Sequence, residues 1–98
     1  MRRGTTPTII ISTDIDLSAA SNMFVTFKQH GHIRFEKTLE DVEVTENSVS
    51  FWLEQSETLS LSEDCPVRFQ IRATLGDQKV ASNIMSTNVD AILKGGEI

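Results

Sequence analysis

The chain has 98 residues, with 9 Lys and Arg against 14 Asp and Glu, a formal charge of −5. Its length and 39% hydrophobic content suit one small core, not two. The acidic balance argues against nucleic-acid binding, which needs a basic face toward phosphates, although Arg2-Arg3 is a local basic pair.

Val, Ile and Thr together make up 26 of the 98 residues, while Ala occurs five times. Side chains branched at Cβ are stiff and fit a pleated sheet better than a helix. Alternation of apolar and polar residues then sets out the strands in order. The first runs from Thr6 to Ser12, with Ile9 and Ile11 on one face and Ile10 on the other. A small polar connection over 18–22 leads into Met23 to Gln29, which groups Met23, Val25 and Phe27 inward and turns Phe24 outward. His30-Gly31-His32 is a turn, and Ile33 to Thr38 returns with Ile33 and Phe35 inward. Asp41 to Thr45 alternates around Val42 and Val44, and Glu46-Asn47 turns the chain into Ser48 to Glu54. There Val49, Phe51 and Leu53 share the inner face and Trp52 the outer one.

The alternation breaks over 55–62, where Ser56 as N-cap starts a short helical turn that drops Leu59 into the core. Pro66 opens a strand whose Val67, Phe69, Ile71 and Ala73 alternate with polar residues. Gly76-Asp77-Gln78 forms a hairpin turn, and Lys79 to Val89 is the last strand, irregular near Ser82-Asn83. The pattern predicts an all-β fold: an antiparallel β-sandwich, immunoglobulin-like, of about seven strands with one short helical turn. One domain fills residues 1–98, with 1–5 as a flexible arm and 94–98 as a short tail.

No apolar run reaches the roughly 20 residues of a membrane-spanning helix, and Thr5-Thr6-Pro7 stands where a signal peptide would carry its apolar core. Cys65 is the only cysteine, so no intrachain disulfide forms and a reducing cytoplasm is the expected place of synthesis.

Residues that carry chemistry are few, and no catalytic, cofactor or metal site is expected. His30 and His32 flank a glycine without an acid or cysteine near them in sequence, and read as a solvated turn. Asp14 and Asp16 share a face but lack the further oxygens and the glycine of a calcium loop. A nucleophilic Cys65 would need a base; no neighbour in sequence supplies one, which leaves His30 or His32 brought near it by the fold, and a small strand-edge residue is the expected reading. Glu40-Asp41 and Glu63-Asp64 are sequence neighbours, which point opposite ways on a strand and make poor acid/base pairs. Gly95-Gly96 has no helix after it to cradle a phosphate. The surface carries more. Trp52, Phe24 and Ile10 are expected outside, and Trp is enriched where proteins meet. Arg2 and Arg3, on their arm, would reach an acidic neighbour. These five residues are the interface candidates.

The opening Met1-Arg2-Arg3-Gly4-Thr5-Thr6-Pro7-Thr8 resembles that of a group of small proteins encoded among tail and baseplate genes of bacteriophages and prophages of Gram-positive bacteria. Val25-Thr26-Phe27, Leu53 to Leu59, Val67 to Ala73, Ala81 to Met85 and the ending Leu93-Lys94-x-Gly96-x-Ile98 look alike too. The resemblance implies a structural or assembly protein of a tail or baseplate, without catalytic residues or cofactors. It would act on other tail proteins or on itself, in the bacterial host cytoplasm and then in the virion, and not on nucleic acid or membrane. The alternative from the residues is a carbohydrate- or ligand-binding sandwich for host recognition. One Trp, five Phe and no Tyr make a thin supply of sugar platforms.

Overall fold

The computed structural model describes residues 1–98. Eight strands form: β1 (Thr8–Ser12), β2 (Asn22–Gln29), β3 (His32–Thr38), β4 (Glu43–Val44), β5 (Ser48–Trp52), β6 (Val67–Leu75), β7 (Gln78–Ala81) and β8 (Met85–Thr87). A 3-10 turn at Leu39–Asp41 and one helix, α1 (Gln55–Leu59), complete the elements. No helix is long and apolar enough to cross a membrane.

The strands form two antiparallel sheets. One has the order β1-β5-β4; the other runs β3-β2-β6, with β7 and β8 both pairing the far edge of β6. In chain order this is the B, E, D sheet and the C′, C, F, G sheet of an immunoglobulin-like sandwich. The eighth strand arises because the last expected strand is split: β7 and β8 are the two halves of strand G. At the break, the Ser82 backbone N–H donates to the Ile71 carbonyl at 2.9 Å. The Ser82 hydroxyl takes up the Ile71 N–H at 3.0 Å. A side chain thus fills a place in the ladder that backbone would otherwise hold.

Period-two alternation buries the expected residues: Met23, Val25 and Phe27; Val49, Phe51 and Leu53; Val67, Phe69, Ile71 and Ala73. Phe27 lies at the centre. It is directly opposite Phe35 on β3 and Phe69 on β6, and stacks on both, with centroids 4.5 and 5.0 Å apart. From the other sheet Phe51 meets it edge-on at 6.0 Å. Stacked and edge-to-face rings gain beyond the area they bury, so this quartet ties three strands of one sheet to the other.

Four expectations are corrected. Ile33 is not inward but 58% exposed. After Phe27 pairs Phe35, Lys28 pairs Ile33, so the register skips Arg34. That bulge reverses which face the alternation serves. Second, the strand expected at Asp41 to Thr45 shrinks to two residues behind the 3-10 turn. Asp41 closes that turn by accepting the Thr38 N–H at 2.9 Å. Third, α1 starts from Glu54 rather than Ser56, and Thr58 and Leu61 are buried there while Leu59 is only half-buried.

Fourth, residues 1–5 are not a flexible arm. Arg2 makes a parallel bridge with Asp90; the Asp90 N–H donates to the Met1 carbonyl at 2.7 Å and the Arg3 N–H to the Asp90 carbonyl at 3.1 Å. Gly4 adopts φ +71°, and a Cβ there would come within 3.0 Å of Ile92 and 3.2 Å of Leu59. Thr58 donates its hydroxyl to the Thr5 carbonyl at 2.7 Å. The segment is stitched to α1 and to the residues that follow β8. The tail at 94–98 forms no strand or helix and is exposed throughout.

One charged pair is built into the sandwich. Lys37 points inward opposite Val25; its side chain is 7% exposed, and its ammonium donates to Glu57 of α1 at 2.6 Å. The same Glu57 oxygen accepts the Glu54 N–H at 2.7 Å, so one carboxylate closes α1 and neutralises β3.

Two stability outcomes follow from this packing. Phe27→Ala should cost about 3–5 kcal/mol, a large share of a small domain's stability, seen as a lower urea midpoint at unchanged slope. Glu57→Ala should cost about 3 kcal/mol by stranding a buried ammonium, whereas the double variant Lys37→Met with Glu57→Gln, which removes both charges, should be near neutral in the same assay.

Candidate functional site

The two outer faces of the sandwich differ in charge. On the β3-β2-β6 face, the register places side chains in rows. Ile33, Lys28 and Arg68 lie side by side; one step along come Glu36, Thr26 and Gln70; the next holds Thr38, Phe24 and Arg72. Lys28 and Arg68 are directly opposite each other, a like-charge pair that disfavours the sheet. Neither they nor Arg72 forms a salt bridge within the chain. The one acid in these rows, Glu36, is engaged by the Thr26 hydroxyl at 2.7 Å. An open groove of about 640 Å³ runs over this face between Ile33 and Ile84, floored by Lys28, Arg68, Gln70 and Arg72.

The β1-β5-β4 face is the reverse. Its three strands contain no Lys or Arg. Trp52 pairs Thr8, and Ser50 pairs Ile10 on one side and Glu43 on the other. Trp52 and Ile10 are therefore diagonal neighbours on one outer face, 64% and 70% exposed. Asp41 and Glu43 line a shallow depression of about 360 Å³ beside Trp52.

Of the five interface candidates, the structure brings Trp52 and Ile10 together and sets Phe24, 44% exposed, on the opposite sheet. Arg2 and Arg3 leave the group. Arg2 donates to the Ala91 carbonyl at 2.5 Å, and Arg3 to the Leu59 carbonyl at 3.0 Å, with a second contact to Glu63 at 3.3 Å. A cation on the last carbonyls of α1 acts within the molecule.

Lys28, Arg68 and Arg72 escaped the sequence reading. Each lies at an outward position of a correctly read strand. What was missing was that β2 and β6 are neighbours in register, which no local pattern reports.

At the end of the groove the structure also gathers three residues far apart in sequence. The β2–β3 turn places His30 and Gly31 both at positive φ, +54° and +76°, the geometry of a two-residue hairpin loop. His30 Nε2 lies 3.0 Å from Asp64 Oδ1 and 3.6 Å from Cys65 Sγ. His32 is not part of this group. The loop carrying Asp64 and Cys65 is fixed by Gln29, whose buried amide donates to the Ser62 and Cys65 carbonyls at 2.7 and 2.8 Å and accepts the Ser62 N–H at 2.7 Å. Partial burial and the Asp64 charge push the Cys65 thiol up, the opposite of what an activated nucleophile needs.

The remaining acid candidates have structural duties. Asp16 accepts the Ser18 N–H at 2.9 Å and the Ser18 hydroxyl at 2.5 Å, and Asp14 joins no group of ligand atoms.

No family model matches the chain, and no curated protein matches it. Two crystal structures of mouse leukocyte-associated immunoglobulin-like receptor 1, both strand-swapped dimers, are similar to it. The Ig-like domain has a TM-score of 0.49 at 15% identity and the extracellular domain 0.48 at 14%. Each match covers 95% of this chain and 85% of that chain. The immunoglobulin-like fold follows from strand order and register.

Acid should weaken the fold through identifiable groups. Hydrogen bonds from Ser18 hold the Asp16 carboxyl below the usual range, those from Thr38 do so for Asp41, and Ser62, then His30, for Asp64. A carboxyl whose value is depressed by folding stabilises the native state above its unfolded pKa. It loses that contribution as pH falls through the folded value. Stability should therefore decline below the ordinary carboxylate range, and Asp41→Asn should flatten the decline in urea titrations across that range.

Proposed function

We propose that this protein is a non-enzymatic assembly module of a phage or prophage tail or baseplate, working through contacts of its two sheet faces with protein neighbours, first among them a second copy of itself. One observation carries the reading: a groove floored by unpaired cations on one face and an acid-flanked apolar patch on the opposite face. Lys28 and Arg68 stand opposite each other without an internal acid, a cost within the subunit that an anionic partner would remove. Trp52 and Ile10 with Asp41 and Glu43 offer the complement: apolar area at the centre and carboxylates at the side. Complementary patches on opposite faces join head to tail, and such contacts build rings or stacks. The resemblance of the opening octet and of the strand segments to tail- and baseplate-region proteins supplies the setting.

A second reading has one observation in its favour. Trp52 beside a depression lined by Asp41, Glu43, Ser50 and Thr8 has the components of a sugar platform, an aromatic face with polar groups at its edge. A glycan array without binding above background dismisses it.

The assembly reading is tested by light scattering against concentration and salt. Association is expected at low salt and should weaken as salt rises. Arg68→Glu and Glu43→Lys should each abolish growth beyond the monomer. Mixed together they should associate again, because the intact patch of one meets the intact groove of the other and the two exchanged charges are complementary at the remaining contact. A wild-type chain that stays monomeric at every concentration and salt, and retains no tail or baseplate neighbour, refutes the reading.

A further inference from the structure

We propose that His30, Asp64 and Cys65 form a surface site for a divalent cation of the zinc class, ligated by His30 Nε2, one Asp64 oxygen and the Cys65 thiolate, with a fourth position for water. All three ligand atoms lie within 4.8 Å of one another. Zinc bonds of about 2.3 Å to sulfur and about 2.0 Å to nitrogen and oxygen, at tetrahedral angles, require S···N near about 3.6 Å and N···O near about 3.3 Å. The separations present are 3.6 and 3.0 Å. Two of the three edges are thus within about 0.3 Å of tetrahedral spacing, and the third pair, sulfur and oxygen, lies within 4.8 Å.

Asp64 and Cys65 both approach the same ring nitrogen. Without metal, Nε2–H donates to the Asp64 carboxylate and the Cys65 thiol also hydrogen-bonds to Asp64. A cation would take the place of these shared protons, drawing one lone pair from each of the three groups. Binding is not redox: the thiol S–H breaks, the sulfur electron pair forms the bond to the metal, and one proton leaves to solvent.

The donor set selects the class of ion. Calcium and magnesium take oxygen ligands; a thiolate, an imidazole and a carboxylate together suit zinc and its borderline-soft neighbours. The scaffold is firm where the site needs it. His30 follows the buried Gln29 directly, and the Gln29 amide pins both Ser62 and Cys65 by backbone hydrogen bonds. One side chain therefore sets the distance between the turn that bears His30 and the loop that bears the other two ligands. His30 and Asp64 are exposed and Cys65 partly so, which leaves an entry path.

The test titrates chelator-treated protein with cobalt and with zinc. Cobalt should give a thiolate charge-transfer band that saturates at one ion per chain and that zinc displaces. Zinc at one equivalent should slow modification of Cys65 by a thiol reagent by roughly tenfold, reversed by chelator. Cys65→Ser should abolish the band, and His30→Ala should weaken binding by at least about tenfold. His32→Ala should change neither. Because His30 is an exposed turn residue, its variant keeps the test informative even where Cys65→Ser disturbs folding. No band, and a thiol reaction unchanged by ten equivalents of zinc, overturns the proposal; so does a band that survives in folded Cys65→Ser.

Discussion

Phe27 is the constraint on which the sandwich depends. It is the one side chain that touches aromatic rings on both neighbouring strands of its own sheet and a fourth ring on the facing sheet. With no disulfide available to join the sheets, their separation and register are set by packing alone, and the widest packed object at the centre sets them most. The register that stacks Phe35, Phe27 and Phe69 also places Lys28 opposite Arg68, one residue away on the other face. Core and surface are two readings of one alignment: the inner row cannot slip without dispersing the outer one.

Much of the fold was legible because its signal is local. Val67, Phe69, Ile71 and Ala73 announce a half-buried strand without reference to any other part of the chain, and so do Val49, Phe51 and Leu53. Even the break at Ser82-Asn83 shows as a lapse in alternation. The misreadings share a different cause. Ile33 continues the rhythm of Phe35 and Lys37, yet it faces water because the bulge at Arg34 is decided by how β3 meets β2. Residues 1–5 look like a polar arm until Gly4 is seen folded against Leu59 and Ile92. In the α1 region Leu59 and Leu61 are equally apolar, and only the start of the helix at Gln55 decides that Leu61 goes inside.

The candidate site was harder to read for the same reason. Trp52 and Ile10 could be turned outward from their own strands, but that they share a patch depends on the antiparallel pairing of β1 with β5. His30 lies 34 residues from Asp64, and nothing in either neighbourhood mentions the other. The residue that unites them, Gln29, reads in sequence as the unremarkable end of a strand. Its burial and three hydrogen bonds give it the role. Net charge was similarly uninformative: a formal charge of −5 conceals a face that carries Lys28, Arg68 and Arg72 without salt-bridge partners.

The split between β7 and β8 bears on how copies of this domain can and cannot come together. A long, straight outermost strand presents a row of free amides and carbonyls, which invites an incoming chain to zip on and seeds fibrils. Here that border is cut into pieces of four and three residues, and Ser82 bends the chain between them with its hydroxyl turned to β6. Intruding backbone finds no continuous template along that side. Crowded copies are steered away from amyloid-like growth there and toward contacts made by side chains, which can be specific and reversible.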